Sequence, residues 1–269
     1  MFSFGRVVSV SGGTRVYRFS FNELIVKGVA HLETDGIIAH ISTWRGCPFT
    51  CAFCNMGSID AHSLSVEQIV RQVRCIKTDC ESRVREVRFD VSGDPMVDWP
   101  IVEYAIGIIA KEFTPNILLC TACPRVKYYE DVLRLGKKLP KLRLQFSVHE
   151  SNEERRLARF QQSSNLLSID EIAGIGASWS KETCRPCEFN YAVTHENSTL
   201  ADAKRLSEQL PPDVWKPQIT PTYVDGNPPQ AIGLHLLPVF SRYLSNAGYK
   251  PLIYAPLDGL KIKGVPGLD

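Results

Sequence analysis

The sequence predicts an α/β protein, built as an open, partial (β/α)6 barrel that follows a small N-terminal β extension. From residue 36 onward, six short apolar runs alternate with amphipathic segments, which is typical of parallel strands joined by helices. A closed barrel of eight units would need two more repeats than the chain contains. We therefore expect the extension at residues 1–35, the barrel at 36–255 and a C-terminal tail at 256–269.

The N-terminal segment alternates apolar and polar residues around the pair Gly12-Gly13. This pattern predicts a β-hairpin rather than a signal peptide. The barrel strands that follow are predicted at 36–43, 85–91, 116–121, 142–148, 188–193 and 215–224.

Amphipathic helices are predicted between these strands. The clearest covers residues 63–77, where Ser65 and Gln68 form a capping box and the apolar residues fall on one face. The other helices are predicted at about 98–112, 126–138, 151–159, 167–176, 199–210 and 231–247.

The composition is that of a globular protein, with 44% hydrophobic and 22% charged residues. A net charge of +2 permits a phosphate-bearing substrate without requiring nucleic acid. No apolar run is long enough to span a membrane. The nine cysteines, an odd number without a secretory signal, indicate a reducing compartment, so we expect a cytoplasmic protein whose clustered thiols serve metal or redox chemistry.

Three cysteines lie in the loop that follows the first predicted barrel strand, where such folds carry their chemistry. Cys47, Cys51 and Cys54 are spaced C-x3-C-x2-C in the stretch TWRGCPFTCAFCNMG. Three thiolates can bind three irons of a four-iron cluster and leave the fourth iron open, and Phe53 is placed to shield such a cluster. The alternatives are three unrelated thiols, or a zinc site completed by His62 or a remote cysteine in a non-enzymatic zinc-binding protein.

The pattern C-x3-C-x-Φ-C after a first strand resembles that of radical S-adenosylmethionine (SAM) enzymes. The resemblance implies that SAM binds the open iron of a [4Fe-4S] cluster. One-electron reduction then cleaves SAM to a 5′-deoxyadenosyl radical, which abstracts hydrogen from a substrate. It also implies a reductant such as a flavodoxin or a ferredoxin.

Residues 36–255 are further similar to the ribosomal-RNA adenine methyltransferases of the RlmN and Cfr type. The stretches that carry this resemblance are FDVSGDPMVDWPIV, LLCTACPRV, LQFSVHESNEERR and NYAVTHENSTLADAKRLSEQL, each at the end of a predicted strand. By this resemblance the SAM-binding residues are Gly93, Asp94, Thr121, Ser147, Val148, His149 and Asn197, with Phe53 beside the cofactor.

Two cysteines that those methyltransferases use are replaced or missing in this sequence. The position seven residues before Cys47 is His40, and the last cysteine is Cys187. The sequence therefore favours hydrogen abstraction from a small-molecule or nucleotide substrate without methyl transfer through a cysteine. An RNA-modifying enzyme is the alternative.

His40 is predicted to point into the barrel, where a histidine can take or give a proton near neutral pH. The simpler interpretation is a buried histidine bonded to a backbone carbonyl. Two further pairs, Cys120-x2-Cys123 and Cys184-x2-Cys187, could bind a second metal, although they are expected near opposite poles of the barrel. The first pair could instead line the SAM pocket.

Overall fold

The computed structural model describes residues 5–11, 13–21, 23–54, 56–57, 60–161, 165–224 and 230–254. The strands are Gly5–Ser11 (β1), Thr14–Phe21 (β2), Leu24–Glu33 (β3), Gly36–Ile41 (β4), Trp44–Arg45 (β5), His62–Ser63 (β6), Val84–Phe89 (β7), Asn116–Thr121 (β8), Leu142–Ser147 (β9), Cys187–Val193 (β10), Trp215–Val224 (β11), Gln230–Ile232 (β12) and Leu252–Ile253 (β13). The helices are Val66–Cys80 (α1), Trp99–Phe113 (α2), Tyr129–Lys138 (α3), Glu153–Phe160 (α4), Ile169–Thr183 (α5), Leu200–Gln209 (α6) and Leu236–Asn246 (α7).

Six strands form a parallel sheet in the order β4, β7, β8, β9, β10, β11, with helices in the connections. Strands β12 and β13 both pair with β11, and no pairing of β11 with β4 is present among the described residues. The prediction of an open (β/α)6 barrel is therefore confirmed. Each predicted strand and helix is present, with ends that differ by a few residues, and helix α5 extends to Thr183.

The N-terminal strands continue the same sheet. Strands β1, β2, β3 and β4 pair antiparallel in sequence order. Ser11 pairs with Thr14 across the predicted turn, and Gly13 has a φ of 86°, which a glycine adopts without strain. Gly12 and the expected tail at 256–269 lie outside the described residues. The limits of the three segments, 1–35, 36–255 and 256–269, stay a prediction.

Helix α1 fixes the point at which strand β4 leaves the sheet. Ser65 and Gln68 form the predicted capping box. The buried amide of Gln72 donates to the carbonyl of Ser42 and accepts from its N–H, both at 2.9 Å. Because Ser42 directly follows β4, this pair of bonds holds the start of the cysteine-bearing loop against the helix.

The two faces of the barrel strands differ in chemistry. Apolar residues such as Ile37, Val87 and Leu119 belong to the hydrophobic core beneath the helices. The opposite face, which lines the barrel interior, carries buried polar side chains, among them Arg88 and Gln145. No helix in the described part of the chain is long and apolar enough to cross a membrane.

Candidate active site

The three loop cysteines face one open cavity of about 580 Å³, called here the cluster cavity. Cys47, Cys51 and Cys54 are half-buried, form no disulfide, and all line this cavity. Among the described residues, no three cysteine, histidine or carboxylate side chains converge tightly enough to enclose a metal ion. The three thiols therefore line one wall of the cavity but do not converge on a single metal-ion position. His62, the candidate fourth zinc ligand, is exposed in β6 and is not part of this wall.

The chemistry of the cavity wall fits an iron–sulfur cluster with an open position. Burial raises the pKa of the Cys47 thiol to about 12, although the backbone N–H groups of Phe49 and Gly93 lower it. A bound metal deprotonates such a thiol outright. Three cysteines on one loop match the three protein ligands of a four-iron cluster with an open iron, whereas a closed zinc site takes four ligands.

Asp94 joins the ends of strands β7 and β8 in the opposite wall of the cluster cavity. Its side chain is only 4% exposed. One carboxylate oxygen accepts from the N–H of Met96 at 2.9 Å, and the other accepts from the N–H of Ala122 at 2.6 Å. The Thr121 hydroxyl donates to both oxygens at 3.0 Å. The Asp94 carboxylate thus holds the loop in place, and it also lines the cavity.

Gly93 occupies a position that no other residue fits without displacement. Its φ is 81°, and a Cβ atom there would lie 2.4–2.5 Å from the side chain of Trp44. The close approach of Trp44 brings the cysteine loop against the end of β7, because Trp44 begins that loop.

An aromatic cluster attaches the cysteine loop to the end of strand β9. The Phe53 ring lies 4.8 Å from the His149 ring and 5.4 Å from the Phe160 ring, both edge to face. The Arg159 guanidinium lies over Phe53 at 5.6 Å. His149 has a φ of 57°, and its Nδ1 accepts from the N–H of Ala192 at 3.0 Å. The imidazole is therefore neutral and carries its proton on Nε2.

The remaining predicted SAM-binding residues fall into two groups. Ser147 lines the cluster cavity, as Gly93, Asp94, Thr121, His149 and Phe53 do. Val148 is fully buried in the hydrophobic core and does not line it. Asn197 is also fully buried; its amide donates to the carbonyls of His149 at 2.8 Å and Ala192 at 2.9 Å. Asn197 thus supports the loop that carries His149.

A second open cavity, of about 840 Å³, fills the barrel interior and adjoins the first. The two cavities share five wall residues, which are Phe53, Asp90, Cys120, Ser147 and His149. Deeper in the interior cavity lie Arg88, Gln145, Asn190 and Gln218. Sequence reasoning did not single out Asp90 or these deeper residues. The available signal was their alternate spacing on the strands, as in Glu86, Arg88 and Asp90.

His40 pairs with Arg88 across β4 and β7 and so points to the inner face, as predicted, but it lines neither cavity. It is fully buried, and its Nδ1 lies 2.9 and 3.0 Å from the two carboxylate oxygens of Asp90. Its Nε2 has no hydrogen-bond partner among the described residues. The His31 ring packs edge to face against it at 5.1 Å. The partner of His40 is thus a carboxylate that lines both cavities, rather than a backbone carbonyl.

The other cysteine pairs do not come together as a metal site within the described residues. Cys120 is half-buried and lines both cavities, whereas Cys123 is buried in the core. Cys184 is exposed at the end of α5, and Cys187 is buried at the start of β10.

Comparison with known proteins places this site in a family. Residues 41–172 match the model of the radical SAM superfamily. The chain is 29% identical over 209 residues to a probable dual-specificity RNA methyltransferase RlmN from Pseudothermotoga lettingae, covering 76% of this chain and 60% of that protein. It is 26% identical over 188 residues to the protein of the same name from Fervidobacterium nodosum, covering 69% of this chain and 54% of that protein. The chain thus spans just over half the length of these relatives.

Solved structures support the same fold. A radical SAM methyltransferase from Sphaerobacter thermophilus superposes with a TM-score of 0.80 at 17% identity, covering 96% of this chain and 78% of the other. A spore photoproduct lyase complexed with dinucleoside spore photoproduct gives a TM-score of 0.59 at 14% identity, covering 81% and 76%. Residues 41–172, which include Cys47, Cys51 and Cys54, thus match the radical SAM superfamily, whose enzymes use a [4Fe-4S] cluster and SAM.

Proposed function

We propose that the chain abstracts hydrogen from a small-molecule or nucleotide substrate held in the interior cavity, without methyl transfer through a cysteine. When bound, the cluster and SAM would supply a 5′-deoxyadenosyl radical. The observation that carries the proposal is the wall of five residues common to the cluster and interior cavities. A substrate in the interior would meet the cofactor across this wall without leaving the barrel.

The residues divide into three tasks in this proposal. Cys47, Cys51 and Cys54 hold the cluster, and we expect cluster binding to draw the three thiols together. Gly93 and the Asp94 loop shape the opposite side, where SAM would lie. A flavodoxin or a ferredoxin would supply the electron.

The interior cavity, with His149 and Ser147 at its boundary, would exclude water around the substrate. Phe53 forms part of the same boundary and packs against His149. Exclusion of water limits side reactions of a reactive intermediate.

RNA modification is the second candidate, and the comparisons favour it. Both relatives described above are named as RNA methyltransferases. Against methyl transfer by their route stands His40, which occupies the place where the resemblance puts a cysteine. In that case a single RNA base would enter the open interior cavity and occupy the place proposed for the small substrate.

Anaerobic incubation of cluster-reconstituted protein with SAM and dithionite tests these proposals. We expect 5′-deoxyadenosine without S-adenosylhomocysteine, and we expect Cys51→Ala to abolish it. Cys184→Ala is the matched control, because Cys184 is exposed and lies outside both cavities. S-adenosylhomocysteine formed only when ribosomal RNA is added would support the second candidate instead. Neither product from fully iron-loaded protein would refute both.

A further inference from the structure

Arg88, in the wall of the interior cavity, belongs to a network of charges in which Glu86 and Glu188 are also buried and Arg143 is partly exposed. Arg143 contacts Glu86 at 3.1 Å and Glu188 at 3.4 Å, and the Nε of Arg88 donates to Glu86. These two cations and two anions come from strands β7, β9 and β10, with β8 lying between β7 and β9 in the sheet. The network is therefore balanced in charge, and it holds Arg88 in place in the cavity wall.

Arg88 uses only one side of its guanidinium in this network. Nε is the atom that bonds Glu86, and no further hydrogen-bond acceptor for the group is present among the described residues. The Tyr254 ring lies 5.1 Å from the guanidinium carbon. Arg88 itself lines the cavity, so its terminal amino groups are available to a ligand there. Two parallel N–H groups of an arginine match the two oxygens of a carboxylate.

Asp90 supplies the opposite charge in the same cavity wall, close enough to act electrostatically on Arg88. It follows Arg88 by two residues on the same face, which separates the two positions by about 7 Å along an extended chain. His40 contacts its carboxylate from behind, and Asp90 lines the boundary with the cluster cavity. Apart from Arg88 and Asp90, the described cavity wall contains no lysine, arginine, aspartate or glutamate. Its other deep polar groups are the neutral amides of Gln145, Asn190 and Gln218.

We propose that the interior cavity binds a small zwitterion of the amino-acid type, with its carboxylate on Arg88 and its protonated amine on Asp90. The inference deepens the proposed function, on which it rests for the idea that this cavity holds the substrate. A phosphate dianion fits less well, because one arginine would face two negative charges and Asp90 would repel them. With its amine on Asp90, the ligand would have the carbon atom that bears the amine at the wall shared with the cluster cavity.

Calorimetric titration of the cluster-loaded protein tests this proposal independently of turnover. The twenty common L-amino acids are titrated first. The tightest binder is then compared with its des-amino acid and its decarboxylated amine, and with adenosine and uridine 5′-monophosphates. Loss of one charge-assisted contact weakens binding by about 10- to 100-fold. We therefore expect at least a tenfold loss for either single-charge analogue.

Variants assign the two charges to their partners. Arg88→Met is expected to weaken binding of the amino acid and of the des-amino acid at least tenfold. It is expected to leave the affinity for the decarboxylated amine unchanged. Arg88→Lys keeps the buried charge, so its affinity for the amino acid is expected to lie between those of Arg88→Met and the unmodified protein. Asp90→Asn is expected to weaken binding of the amino acid and of the decarboxylated amine, and to leave binding of the des-amino acid unchanged. Arg125→Met is the control, because Arg125 pairs with Glu171 at the surface and lines neither cavity.

Three results would overturn the inference: no amino acid that binds with a Kd below about 10 mM, preferential binding of the nucleoside monophosphates, or equal losses for all probes. Amino acid binding without any 5′-deoxyadenosine would instead count against the proposed function and leave the binding site standing.

Discussion

Replacement of Asp94 by asparagine isolates the contribution of one carboxylate to the shape of the cluster cavity. Each oxygen of Asp94 accepts a different backbone N–H, from Met96 at 2.9 Å and from Ala122 at 2.6 Å. An amide has only one oxygen, so in Asp94→Asn one of these two N–H groups must face an amino group. A buried donor that loses its acceptor costs about 1–3 kcal/mol. We therefore expect a loss of about 2 kcal/mol in the free energy of unfolding.

Urea unfolding of the iron-free protein, followed by tryptophan fluorescence, measures this loss. A loss of about 2 kcal/mol corresponds to a fall of about 4–8 °C in Tm for a chain of this size. Asp98→Asn is the matched control, because it removes the same charge from the same loop and Asp98 makes no side-chain cap bond to α2. Equal effects of the two substitutions would refute the assignment of Asp94 as the joint between β7 and β8.

Two further predictions concern packing and pH. Gly176→Ala should destabilise the protein by about 2 kcal/mol, since its Cβ would lie 2.0 Å from the Trp215 ring, whereas Gly174→Ala on the same helix meets nothing within 4 Å and should stabilise it by about 0.5–1 kcal/mol. Chemical unfolding of both variants checks this, and a stabilising Gly176→Ala would contradict it. Burial lowers the pKa of His31 to about 4 from an ordinary value of 6.5. Stability should thus be full above pH 6.5 and fall by up to about 3 kcal/mol as the pH drops toward 4. The difference between the urea midpoints at pH 7.5 and pH 5.0 should be smaller for His31→Gln than for the unmodified protein. Equal differences in the two proteins would contradict this assignment.

The elements of the fold were predictable because their signals are local. The capping box of Ser65 and Gln68 fixes the start of α1 from four residues alone. The barrel strands are apolar runs between turn residues, and the spacing of Cys47, Cys51 and Cys54 lies within one loop. Such signals need no knowledge of which strands become neighbours.

The relation between the two cavities was not predictable in the same way, because it depends on sheet order. The alternation along β7 places Arg88 and Asp90 on one face, but does not say that β4 lies alongside to supply His40. Val148 shows that the sequence also did not predict which residues of a matching stretch line the cavity. It was included with Ser147 and His149 as one stretch, yet β9 ends at Ser147, and in the turn that follows Val148 enters the core while His149, with a φ of 57°, lines the cavities.

The polar interior is the strongest sign that the barrel serves a ligand. Buried guanidinium and carboxylate groups are costly, and apolar residues of similar size often stabilise a core as well or better. The outer face of the same strands, with Val87 and Phe89 on β7, is filled with such apolar residues. The inner face of that strand instead carries Glu86, Arg88 and Asp90. Since stability alone would favour an apolar interior, these charges support the proposal that the interior cavity binds a charged ligand beside the wall that it shares with the cluster cavity.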